Sequence, residues 1–266
     1  MNSISFRGFQ FSYDAEGDPY GEAMWSGLLN GVYESTTLGF LISSLKANRV
    51  FVDVGAASGL FTLLAGALGS KVIAIEAHPQ WYSLLVRNLS LNDFGSQVTA
   101  LNVAVTSTRL AKLEPNNLDS KILSVSVMDS KTFNDSRPRV DSLAGILRGN
   151  LTDSGPIIVK MDIEGAEFEI LKDKESCSVL REYRALLFLS LHPGFPYNKK
   201  TSNFVSWLLN ATYSRFRGLL DSHRIFIQLD GPRTCRLPNG RRITRKSDFL
   251  ALTFFGAHDF IFDLSA

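Results

Sequence analysis

From Val50 onward, short apolar runs alternate with stretches whose apolar residues recur at three- and four-residue spacing, which predicts strands and helices in turn. The strand candidates are Val50–Val54, Lys71–Glu76, Val98–Val105, Pro156–Asp162 and Ala185–His192. They are apolar almost throughout, as strands are when both faces of their sheet are covered. Helix candidates between them span Leu60–Leu68, Pro79–Asn92 (with proline in its first turn), Val140–Leu147 and Ala166–Lys172. That alternation predicts an α/β fold with a doubly wound, parallel sheet. Ahead of it, Leu38, Leu41, Ile42 and Leu45 share one face of a helix over 33–47, with Ser35 or Thr36 as its cap. Beyond His192 the pattern gives a helix near Ser202–Leu209. Two late strands, Arg224–Leu229 and Asp248–Phe255, flank the turn-rich DGPRTCRLPNGRR. This predicts an antiparallel hairpin closing one sheet edge. With no repeat, low-complexity tract or linker, the chain divides into a lead-in over 1–48 and a main domain over 49–266, one globular body in all.

Composition changes this picture little. The 266 residues are 45% hydrophobic and 20% charged, enough for a sizeable core under an ordinary soluble surface. The start, MNSISFRGFQFSYDAEGD, is broken by polar and charged residues and does not read as a signal peptide. No run reaches the roughly 18 to 20 apolar residues of a membrane span. Cys177 and Cys235 lie far apart without CxxC spacing, so neither a disulfide framework nor a zinc site is expected. A cytoplasmic protein in a reducing compartment is the simplest expectation. Four Asn-x-Ser/Thr triplets, the first at Asn88, read as chance. The net charge of +2 conceals an asymmetry: from Arg215 to Lys246 there are nine basic and two acidic residues, +7 against −5 elsewhere. Such a block suits phosphate groups on a substrate or lipid. It equally suits a solvated loop and the charged face of a hairpin.

Chemistry is expected beyond the carboxyl ends of the strands, where ligands bind in open α/β sheets. The first strand runs into Asp53-Val54-Gly55-Ala56-Ala57-Ser58-Gly59 and then a helix. Gly55 and Gly59 allow a tight turn and close backbone approach to a ligand, and the helix start adds free N–H groups. The spacing is G-x-x-x-G, not the G-x-G-x-x-G of dinucleotide binders. The second strand ends at Glu76, an acid placed to accept both hydroxyls of a ribose. Asp53 would repel a pyrophosphate at this turn but suits the ammonium of a cofactor with an amino-acid tail, directly or through water. Together these residues point to S-adenosyl-L-methionine rather than a nicotinamide.

FVDVGAASGLFTLLA, VIAIEAHPQWYSLLVRNLSLN, LNVAV and IIVKMDIEGAEFEILKD follow, in order, the pattern of FkbM-type S-adenosylmethionine-dependent methyltransferases. The chain resembles that family over roughly 33–193, most specifically in VKMDIEGAEFEIL. The resemblance implies a class I, Rossmann-like, seven-stranded sheet and, commonly, O-methylation of a sugar or other metabolite hydroxyl. It implies that Asp53, Gly55 and Gly59 line the methionine part of the donor and Glu76 its ribose, with Ala57, Ser58 and Ala77 as further donor-binding positions. Asn102, Val103 and Ala104 then lie near the adenine, and Glu34 matches a further family acid. The sequence departs from the pattern at SLHPGFP, where many members carry an acid shortly before the histidine, and its tail beyond 200 matches little. The acceptor is therefore left open.

The fourth strand end, Lys160-Met161-Asp162-Ile163-Glu164-Gly165-Ala166-Glu167, is the candidate for catalysis. In extended chain Lys160, Asp162 and Glu164 point to one side. Methyl transfer to a hydroxyl needs alignment and a proton acceptor, and Asp162 or Glu164 could orient the hydroxyl or act as that base. Carboxylate pairs also bind divalent cations, so a metal-assisted version is admitted although no metal ligand is assigned. The competing reading is a satisfied ion network between Lys160 and the acids. Glu167 reads as a helix-dipole partner. His192, ending the fifth strand, is a further base candidate; His78 would cover the cofactor. Nucleic acid as acceptor is disfavoured because DIEG stands where amine methyltransferases usually carry [DNS]-P-P-[YF]. A nicotinamide oxidoreductase is disfavoured by Asp53. A non-catalytic cofactor-binding module is disfavoured by the intact motifs. The expected partner is a small-molecule or glycan acceptor, possibly bearing phosphate.

Overall fold

The computed structural model describes residues 2–6, 8–19, 21–30, 35–45, 49–112, 138–153, 155–163, 165–192, 217–254 and 259–265. The strands, in chain order, are β1 (Asn2–Phe6), β2 (Phe9–Tyr13), β3 (Val50–Val54), β4 (Lys71–Ile75), β5 (Val98–Leu101), β6 (Val103–Thr106), β7 (Arg139–Ser142), β8 (Ile157–Met161), β9 (Leu186–Ser190), β10 (Cys235–Arg236) and β11 (Asp259–Asp263). Seven of them form one sheet in the order β10-β11-β9-β8-β3-β4-β5, while β1-β2 and β6-β7 are separate two-stranded ribbons. β3, β4 and β5 pair in parallel, Val52 beside Ile73 and Ile73 beside Thr99. β11 runs antiparallel to both β9 and β10. This is the mostly parallel α/β sheet with antiparallel C-terminal strands that the alternation predicts.

The residues group into two compact units: 1–104 with 128–139 and 156–160, and 105–127 with 140–155 and 161–266. In the first, Phe51, Val52 and Val54 of β3 and Val72, Ala74 and Ile75 of β4 are buried, and so is nearly all of the helix Leu60–Ala67. The lead-in carries structure that the pattern does not give away: β1 and β2 form an antiparallel hairpin, and Trp25 of the helix Gly21–Leu29 stacks on Tyr13 at 3.8 Å. The expected helix over 33–47 is present as Ser35–Ser44, with Leu38 and Leu41 buried. The hairpin is tied to the helix Pro79–Ser90 and the residues after it by two carboxamides. Asn92 both accepts from Ser12 N–H and donates to Ser12 O, at 2.8 Å each. Asn88, fully buried, accepts from Asp14 N–H at 2.7 Å and donates to Ser58 O at 2.9 Å. That burial removes Asn88 as a glycan acceptor.

The expected single strand over Val98–Val105 is two strands. Asn102 interrupts it because its carboxamide donates to the carbonyls of Glu76 and Ala77, at 2.9 and 3.2 Å. The expected helix Ser202–Leu209 lies outside the described residues. In the second unit, the two late strands are corrected to helices, over 217–228 and Lys246–Phe254. Ile225, Phe226 and Leu229 are fully buried while Ile227 is 48% exposed, a helical spacing that a strand would not produce. Phe249 stacks on Phe226 and meets Phe260 of β11 at 4.6 and 4.5 Å between ring centroids. The antiparallel edge is thus made by β10 and β11, with the Lys246–Phe254 helix between them in sequence. Cys177 and Cys235 are buried free thiols, and burial pushes Cys177 up to about 11 and Cys235 higher still. Among the described residues no helix is long and apolar enough to cross a membrane.

Candidate functional site

In the first unit the turn after β3 is held by backbone conformations that side chains rarely take: φ is +84° at Gly55, +48° at Ala57 and +101° at Gly59. At Gly59 a Cβ would stand 2.8 Å from Leu85 Cδ1, so glycine is required there twice over. The turn is fastened to the end of β4. Gly55 and Ala56 N–H both donate to Ile75 O, and Ala57 N–H donates to Glu76 Oε2 at 2.9 Å. The other oxygen of Glu76 accepts from His78 N–H at 2.7 Å. Glu76 is buried, and burial is the main cause that pushes its carboxyl up; the two N–H groups oppose it, Asp53 adds to it, and Lys160 opposes it. His78 caps the Pro79–Ser90 helix through Nδ1, which accepts from Gln80 N–H at 3.3 Å, and burial lowers its pKa.

The cation facing Asp53 is Lys160. Asp53 has no exposed surface; its Oδ2 accepts from Thr62 Oγ at 2.8 Å, and its Oδ1 lies 3.7 Å from Lys160 Nζ. Lys160 also donates to Gly55 O at 3.5 Å and sits over the Phe61 ring at 5.1 Å. Charge on the strand β8 therefore props the β3 turn from within. Ser58 is buried, with its carbonyl held by Asn88. Asn102 is half-buried and fixes the Glu76-Ala77 backbone, and Val103 and Ala104 are buried in β6. Glu34 lies outside the described residues.

In the second unit, a separate group gathers Asp162, Glu167 and His192. Glu167 opens the helix Glu167–Lys172 and folds back over the turn before it: Oε1 accepts from Ile163 N–H at 3.0 Å and Oε2 from Gly165 N–H at 2.6 Å. Gly165 makes this possible with φ at +110°. His192 Nδ1 lies 3.1 Å from Glu167 Oε1, and its Nε2 lies 3.7 Å from Asp162 Oδ1. Glu167 is fully buried, whereas the His192 and Asp162 side chains keep 30% and 26% of their surface. One donor atom from each residue falls within 4.8 Å of the others, a set of oxygen and imidazole ligands of the type that divalent cations accept. The ring, however, turns a different nitrogen to each acid. Glu164 lies outside the described residues, as does His258, and His223 sits half-buried in the 217–228 helix.

Sequence reasoning passed over Thr62 and gave Glu167 only the role of a helix-dipole partner. The signal for Glu167 was its place at a helix start two residues after Gly165, where a carboxylate reaches back to the turn's N–H groups.

Residues 53–214 match the model of the methyltransferase FkbM domain. The chain belongs to the FkbM methyltransferase family. Within it, a stretch of 172 residues is 32% identical to the methyltransferase sdnD of Sordaria araneosa, covering 53% of this chain and 66% of that relative. Among solved structures, a TehB-like SAM-dependent methyltransferase from Corynebacterium glutamicum aligns over 93% of this chain and 96% of its own, at 8% identity and a TM-score of 0.39. Geranyl diphosphate C-methyltransferase from Streptomyces coelicolor aligns over 95% and 87%, at 12% identity and 0.37. FkbM membership makes S-adenosyl-L-methionine the cofactor. Each Glu76 oxygen accepts one N–H and keeps a second lone pair, an acceptor chemistry compatible with that donor.

Proposed function

We propose that this chain is an S-adenosyl-L-methionine-dependent O-methyltransferase acting on the hydroxyl of a sugar, polysaccharide or related metabolite. Asp53, Gly55, Ala57, Ser58 and Gly59 serve the methionine part, Glu76 and Ala77 the ribose, Asn102, Val103 and Ala104 the adenine, with Glu34 as a further donor contact. Bound there, the sulfonium supplies an electrophilic methyl group. The chain's own task is to hold the donor still, align the acceptor oxygen and take its proton. The observation that carries the oxygen-acceptor reading is the partly exposed imidazole of His192 set between two carboxylates. A hydroxyl must lose a proton as it is methylated, and a positioned base is worth roughly 10²- to 10⁴-fold in rate. Asp162, with Glu164, orients the hydroxyl. Lys160 acts through Asp53, by holding the β3 turn.

The test is calorimetric titration with S-adenosylhomocysteine beside NADH, followed by transfer of labelled methyl to a panel of glycans and hydroxylated metabolites. Binding of S-adenosylhomocysteine alone, and an alkali-stable methyl ether as product, is the expected outcome. Binding of NADH, or a methyl group recovered on nitrogen, would overturn the reading.

A further inference from the structure

Resting on that reading, we infer that Glu167 is the positioning residue that makes His192 the base, by holding its ring with the proton on Nδ1 and the lone pair on Nε2. A carboxylate only accepts, so the ring nitrogen 3.1 Å from Glu167 Oε1 has to be the donor. Glu167 is well placed to impose this. It is fully buried, and the N–H groups of Ile163 and Gly165 each hold one of its oxygens, so it cannot swing to follow the ring. The proton on Nδ1 leaves Nε2 unprotonated on the neutral ring, on the side of Asp162 Oδ1. In the transfer, the acceptor oxygen bonds to the methyl carbon as the carbon–sulfur pair passes to sulfur. The hydroxyl proton goes to Nε2, giving an imidazolium whose charge Glu167 balances, and then on to water. Asp162, beside Nε2, accepts a hydrogen bond from the hydroxyl or the imidazolium. A bound divalent cation is the rival use of the same three residues. One ligand atom from each of them lies within 4.8 Å of the others, so a cation would compete for this group, but the closest contacts, Nδ1 to Glu167 and Nε2 to Asp162, favour the tautomer.

The test reads the ring directly and needs no acceptor. Long-range proton–nitrogen correlation spectra of the labelled protein at alkaline pH, with the His192 signals assigned by their loss in His192→Gln, report which nitrogen is protonated. The expected result is a protonated Nδ1 and a bare Nε2 in the wild type. In Glu167→Gln the Nε2–H form gains, and turnover falls roughly 10²- to 10⁴-fold with KM for the donor little changed. A wild-type ring protonated on Nε2 would overturn the inference, even if Glu167→Gln fails to fold. So would stoichiometric broadening of the His192 signals by Mn²⁺, which would assign the group to a cation. Loss of S-adenosylhomocysteine binding in the wild type would instead strike the methyltransferase reading, and the tautomer would still stand or fall on its own spectrum.

Discussion

Asp53 and Lys160 are a buried ion pair whose members are both nearly inaccessible, and that fixes what their substitution does. Removing one partner strands the other charge in the interior, which costs about 3–5 kcal/mol. Asp53→Ala is therefore expected to lower stability by about that amount in urea unfolding. Asp53→Asn combined with Lys160→Met should lose clearly less than the sum of the single changes, and strict additivity would contradict the pairing. His78 gives the pH dependence. Burial depresses its folded-state pKa below the ordinary 6.5, so the unfolded chain binds the proton more readily. Stability rises with pH wherever the unfolded state holds more protons. The contribution is thus complete above the ordinary histidine value and is lost as pH falls through it toward the depressed folded value. Protonation also removes the Nδ1 lone pair that accepts from Gln80 N–H, and with it the helix cap. His78→Asn, a cap that does not titrate, should flatten the wild-type loss of stability between about pH 7.5 and about pH 5.5. An unchanged slope would place that loss elsewhere.

At the scale of elements, what could be read in advance was what period and context state without ambiguity. β3, β4, β8 and β9 are mostly apolar runs too short for helices, each leading into a polar turn, and their bounds fall within two residues of the expected ones. The late segments were misread because an apolar run such as Arg224–Leu229 satisfies alternation as well as it satisfies helical spacing. Only the partner decides, and here it is the aromatic cluster around Phe249. That Asp53 and Glu76 stand at strand ends was legible, whereas the internal partner of Asp53 was not, because nothing in sequence ties residue 53 to residue 160. The helix over 217–228 has a sharp consequence. In a strand Ile225 and Ile227 would lie on one face and respond alike. In the helix Ile225→Ala should cost about 2–5 kcal/mol, as for a fully buried isoleucine, and Ile227→Ala about 0.5 kcal/mol or less. Equal losses in denaturant unfolding would restore the strand.

The charge of the whole molecule sets a different constraint, on how an acceptor arrives. The stretch from Arg215 to Lys246 carries +7 in a chain of net +2, and Arg241, Arg242 and Arg245 in it are exposed. Exposed cations of this kind contribute little to stability, since single surface pairs are worth about 0–1 kcal/mol. Of the three, Arg242 also donates to Arg233 O, at 2.8 Å, so its change has a small structural component that the other two lack. What such a block does well is attract anions over about 8–10 Å at moderate ionic strength, an effect that salt removes. If the acceptor hydroxyl is carried on a phosphate-bearing molecule, changing Arg241, Arg242 and Arg245 together to Gln should weaken acceptor affinity at low salt and flatten its salt dependence. S-adenosylhomocysteine binding should stay as in the wild type. Donor-saturated titrations of the acceptor at two salt concentrations check this. Equal acceptor affinity in both proteins at low salt would make the basic stretch a solvated surface and the acceptor an uncharged one.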